Sequence, residues 1–113
     1  MKPYFTKMID LRKVYIPNLE ASFMRTIFKY PVAHGDPYTE MPVGAKIVKV
    51  GIQNDRTTVW AEVYPKNNTE KRNFKVYGTG HEIPEESVYV GTFFHEIFVW
   101  HLYEEPLLPE LYE

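Results

Sequence analysis

A period of two is the feature that most constrains this chain. From Arg25 onward apolar and polar residues alternate in short runs, and each run is stopped by proline, glycine or an Asn-Asp pair. Such alternation puts one set of side chains on each face of an extended strand, whereas a helix repeats at every third or fourth residue. The runs predict strands over residues 25–30, 38–41, 45–53, 57–64, 72–77, 88–94 and 97–103. Asn54-Asp55 reads as a tight hairpin turn, because both residues tolerate positive φ. His95-Glu96 separates the last two runs, which predicts a final hairpin. No amphipathic helical pattern occurs between residues 24 and 105. Aromatic residues make up 16% of the chain, and these side chains favour pleated, half-buried surfaces. The expected fold is all-β: a small antiparallel meander of six to seven strands, closed as a barrel or folded as a sandwich, with an N-terminal extension.

At 113 residues the chain suffices for one core and not for two. Three segments are expected: an extension over 1–23, a β domain over 24–105 and a tail over 106–113. The extension is basic, through Lys2, Lys7, Arg12 and Lys13. Within it Val14-Tyr15-Ile16 reads as a short edge strand and residues 19–23 as one helical turn. The tail is apolar, acidic and broken by Pro106 and Pro109.

Several function classes are excluded or disfavoured by composition. A net charge of −2 with interspersed signs argues against duplex DNA, which needs a basic face. No apolar run approaches the length of a membrane-spanning helix. With no cysteine, disulfides, thiolate nucleophiles and thiolate metal sites are absent, and a cytoplasmic location is expected. His34, His81, His95 and His101 form no helical pair and no cluster with carboxylates at metal-site spacing, so no metal or other cofactor is expected. His101 alternates with Val99 and Ile97 and reads as a hydrogen-bonded core histidine. Ser22 and Ser87 are the only serines, and neither sits in a nucleophile elbow. Glu82, Glu85 and Glu86 near His81 read as a solvated acidic turn, and the chain is not expected to be an enzyme.

Binding fits better. Gly78-Thr79-Gly80-His81 ends the 72–77 strand, and glycines on both sides of a threonine permit backbone N–H groups to converge on an anion. The same residues also read as a bulge or a sharp exit from a sheet. In the binding reading Lys75, with Arg72 and Lys71, supplies positive charge, and Tyr77 and Trp60, with Tyr64, stack a planar group. The candidate ligand-binding residues are therefore Lys75, Tyr77, Gly78, Thr79, Gly80, His81 and Trp60. Several strands carry apolar or aromatic groups on both faces, as at Trp60 and Trp100, and a homo-oligomer is expected to cover one of them.

Met24-Arg-Thr-Ile-Phe-Lys-Tyr-Pro31, Met41-Pro-Val-Gly-Ala-Lys-Ile-Val48, Trp60-Ala61, Val76-Tyr-Gly-Thr-Gly-His81 and Tyr89-Val-Gly-Thr92 occur in this order. The succession resembles a family of small uncharacterised proteins encoded by bacteriophages and prophages. The resemblance covers residues 24–103 and brings no catalytic residues with it. It implies a compact phage accessory protein in the host bacterial cytoplasm, one that counters host defence. Joined to the binding reading, it makes a nucleotide-like immune signal the expected ligand. An inhibitor that binds a host protein, and a structural or assembly component of the phage, are the alternatives.

Overall fold

The computed structural model describes residues 24–33, 35 and 37–107. The expectations for residues 1–23, for His34 and for the tail beyond Leu107 fall outside these. Seven strands follow in order: β1 (Thr26–Pro31), β2 (Thr39–Pro42), β3 (Lys46–Gln53), β4 (Arg56–Val63), β5 (Thr69–Gly78), β6 (Val88–His95) and β7 (Phe98–Glu105). They form two antiparallel sheets, one ordered β1-β4-β3 and the other β2-β5-β7-β6. The described residues are thus all-β, with no helix, and the sheets are not closed into a barrel.

Turn chemistry accounts for the hairpins. Asn54 and Asp55 have φ of 52° and 62°, the twist that matches a right-handed β-ribbon. At the β6–β7 hairpin the turn is Glu96-Ile97, closed by the His95↔Phe98 pair. This is one residue later than alternation suggests, and Ile97 is a turn residue that is 86% exposed.

The core lies between the two sheets. Val59, Ala61 and Val63 of β4 point inward from the first sheet, and Phe74, Phe93 and Leu102 from the second. Met41 and Val32, both essentially inaccessible, fill the space beside them. Burying each such side chain contributes about 1.5–3 kcal/mol, so this row supplies most of the drive for the sheets to face each other.

Two β-bulges set which side chains face outward. In β3 the register slips between Ile47 and Lys49, and in β6 between Tyr89 and Gly91. Plain alternation puts Lys46 on the face of Val50 and Ile52 and Lys49 on the opposite one. The extra residue at Val48 instead carries Lys46 and Lys49 to the same outer face, opposite Glu62 and Trp60 of β4. Val50 and Ile52 still pack against the core, while Val48 is exposed. The bulged strands lie next to each other: a Cβ added to Gly91 would fall 2.6 Å from Val50 Cγ1.

Candidate ligand-binding surfaces

The Gly78–His81 turn is closed on itself. The His81 N–H donates to the Gly78 carbonyl at 3.1 Å, and the Gly78 N–H donates to His81 Nδ1 at 3.0 Å. With Gly80 at φ 94° the geometry fits a type II turn, which needs glycine at its third residue. Gly78 is closely packed, since a Cβ there would lie 3.1 Å from the Trp100 ring and 3.0 Å from the His81 ring, so both rings would have to give by a few tenths of an ångström. Two of the four N–H groups are therefore spent inside the turn.

Lys75, Tyr77 and Thr79 lead from this turn onto the outer face of the four-stranded sheet. Tyr103 lies edge-on to both Tyr77 and Tyr89, with ring centroids 5.6 and 5.5 Å apart. The Tyr77 hydroxyl donates to Glu105 Oε2, which also accepts from Ser87 Oγ at 2.8 Å. These donors, Tyr77 foremost, hold the Glu105 carboxyl below its ordinary value. Desolvation, with the neighbouring Glu105 carboxylate, raises that of the Tyr77 phenol.

His101 is not in the core. It sits half-buried on this outer face, with Thr92 Oγ1 3.1 Å from Nδ1 and Thr79 Oγ1 3.0 Å from Nε2. Thr79 Oγ1 also lies 3.3 Å from the Val99 carbonyl, and Thr92 Oγ1 lies 2.6 Å from the Tyr89 hydroxyl. A chain of hydrogen bonds thus joins Tyr89, Thr92, His101 and Thr79 to the Val99 carbonyl, with directions set by the His101 tautomer.

At the far end of the same sheet, a cleft of about 560 Å³ is lined by Glu70, Glu86, Glu104 and Glu105, with Lys71 and Arg72. Arg72 makes a two-pronged bond to Glu104, both contacts at 2.8 Å, and donates to the Ala45 carbonyl at 2.6 Å. Its bond to Glu104 raises the guanidinium above its ordinary value, against the effect of burial. Arg72 thus ties β5, β7 and the loop before β3 together. Among the described residues no group of three or more His, Asp or Glu side chains is placed to hold a metal ion.

Trp60 lies elsewhere, on the outer face of the three-stranded sheet, so it does not join the Gly78–His81 turn. Its direct partners are Lys29 on β1 and Lys49 on β3. The Lys49 ammonium lies 6.0 Å from the indole centroid. Lys29 Nζ donates to the neutral Gln53 side-chain carbonyl. One residue pair further along, Glu62 sits opposite Lys46 and 3.5 Å from Arg25. Arg56 shares the face at the other end by alternation with Trp60. Gly51, beside the indole, has no side chain to cover it; a Cβ there would just touch the ring at 4.0 Å. The face is thus a half-buried aromatic ring among basic groups and one carboxylate, Glu62, in a chain whose net charge is −2.

Residues 24–111 match the domain of unknown function DUF7352. The chain belongs to this family. No curated protein and no solved structure matches it.

In this DUF7352 chain, Lys75, Tyr77 and the 78–81 turn are close in space because they are close in sequence. Lys29, Lys46 and Lys49 were not singled out by the sequence as partners of Trp60. Lys49 had a usable signal, because alternation across the Asn54-Asp55 hairpin brings it near Trp60. Lys46 had none, since only the bulge at Val48 turns it to that face. No helix among the described residues is long and apolar enough to cross a membrane.

Proposed function

We propose that the chain is a non-catalytic binding protein for a nucleotide-class ligand, which pairs phosphate with the lysines of the three-stranded sheet and stacks its base on Trp60. The observation that carries this reading is the register Lys29–Trp60–Lys49 across three strands. Cations flanking a half-buried indole suit a ligand that joins negative charge to a planar ring, because each attraction acts on a different part of it. Each outer face holds a carboxylate, but Glu62 is outnumbered by Arg25, Lys29, Lys46 and Lys49, whereas Glu105 stands among tyrosines and hydroxyls with Lys75 nearby. In a phage setting, the biological role of such a protein is sequestration of a nucleotide immune signal in the host cytoplasm. A homo-oligomer would multiply the sites.

The test is fluorescence anisotropy with labelled nucleotides and cyclic dinucleotides against the full chain, Trp60→Ala and Lys29→Ala/Lys49→Ala. Saturable binding that weakens about tenfold in Trp60→Ala is expected from the loss of one stacked base. Unchanged binding in both variants would place the ligand elsewhere and sink the proposal.

A protein-binding inhibitor is the second reading, and its own observation is the β6–β7 hairpin tip. Phe94, Ile97 and Phe98 are exposed there by 72%, 86% and 56%, and clustered exposed apolar side chains are typical of protein interfaces. Capture of one host polypeptide by the wild type but not by Phe94→Ser/Phe98→Ser would favour it.

A further inference from the structure

Resting on that reading of the Trp60 face, we infer that its ligand is a single-stranded oligonucleotide rather than a free mononucleotide. The cations are not gathered round one point. They occupy separate outward levels along β4: Arg56 at the hairpin, then, past the level of buried Thr58 with Pro31 and Gly51, Lys29 and Lys49 at Trp60, and Arg25 and Lys46 at Glu62. Same-face residues on a strand are about 7 Å apart, so the levels from Arg56 to Glu62 extend over roughly 20 Å. One phosphate reaches one level; a strand of several nucleotides reaches all of them.

Shape points the same way. A small ligand gains affinity by burying most of its surface in a concave site. Trp60 lines neither the acidic cleft nor the groove between β3 and β6, and it lies half-buried on the outer face of the sheet. An open face earns affinity by repeating weak contacts along a polymer, each releasing counterions from a phosphate. The bare backbone at Gly51 keeps the surface low on one side of the indole, so that a chain can continue past a base stacked there.

The experiment compares labelled dT12 and rU12 with thymidine monophosphate, the last measured by competition, across a series of NaCl concentrations. The 12-mers are expected to bind at least tenfold more tightly than the mononucleotide. Their log K should fall with log salt at a slope of about −2 to −3, corresponding to three or four phosphates at about −0.7 each. Lys49→Ala should lower that slope by about 0.7, whereas Trp60→Ala should lose about tenfold in affinity with the slope unchanged. Trp60→Phe keeps a stacking ring, and circular dichroism of both tryptophan variants separates a lost contact from a lost fold. Equal binding of mononucleotide and 12-mer would overturn the oligonucleotide inference and leave the nucleotide reading standing. Failure of every probe to bind would end both. Twelve-mer binding that ignores Trp60→Ala and Lys49→Ala alike would be general electrostatic attraction, and would also overturn the inference. A preference for rU12 or dT12 names the kind of strand.

Discussion

Gly91→Ala tests the feature on which the arrangement of the two sheets depends, the approach of β6 to β3. A Cβ on Gly91 would lie 2.6 Å from Val50 Cγ1. Carbon atoms in good contact are 3.5–4.0 Å apart, so one of the two strands must retreat by about 1 Å. Overpacking of this kind costs about 1–3 kcal/mol. Replacing glycine returns about 0.4–1 kcal/mol by restricting the unfolded chain. The balance is a loss of about 1.5 kcal/mol, which for a domain of this size lowers Tm by roughly 6–12 °C. Val50→Ala removes the atom that is struck. Alone it should cost about 1 kcal/mol for lost packing, but in the double variant most of the Gly91→Ala penalty should disappear. Urea denaturation of the four proteins, with equal m-values, gives the coupling energy. If Gly91→Ala is neutral and the coupling is near zero, the bulged strands do not abut and the account of the sheet interface is wrong.

Arg72→Met should destabilise by about 2–3 kcal/mol in denaturant melts, because Glu104 and the Ala45 carbonyl both lose their partner at a site where the Arg72 side chain is only 16% exposed. A cycle with Glu104→Gln should show strong coupling; additive losses would mean the pair is screened like a surface bridge. Tyr77→Phe should change the acid limb of the stability–pH profile. The lowered Glu105 group contributes stability that is present above its ordinary value of 4.5 and lost as pH falls through its folded value. Without the phenol that loss should shrink, and identical acid limbs would refute the contact. Gly80→Ala should cost about 1–2 kcal/mol, for the positive φ alone, since nothing lies within 4 Å of the new methyl. No loss in the melt would show that the turn has another geometry.

Strand positions were legible in the sequence because alternation is local: each run writes its own period of two, and Asn54-Asp55 carries its own turn preference. The Gly78–His81 turn was legible for the same reason, as its bonds join residues three apart. Which sheet a strand joins was not legible. Trp60 and Tyr77 both read as aromatic residues on alternating strands, yet they belong to different sheets, and nothing local to either residue records that. His101 was read into the core because apolar neighbours on its expected face, Val99 and Ile97, look the same whether the face is dry or wet. The decisive case is Val48. One inserted residue reverses the facing of everything before it relative to everything after. Whether β3 takes that insertion depends on its pairing with β4 and its packing against Gly91 of β6, more than forty positions beyond Lys46 in the chain. Period-two chemistry therefore determined that this chain is made of strands. Long-range register determined that Lys29, Lys46 and Lys49 share an outer face with Trp60, because a side chain's facing is set jointly by its own strand and by the strand it pairs with.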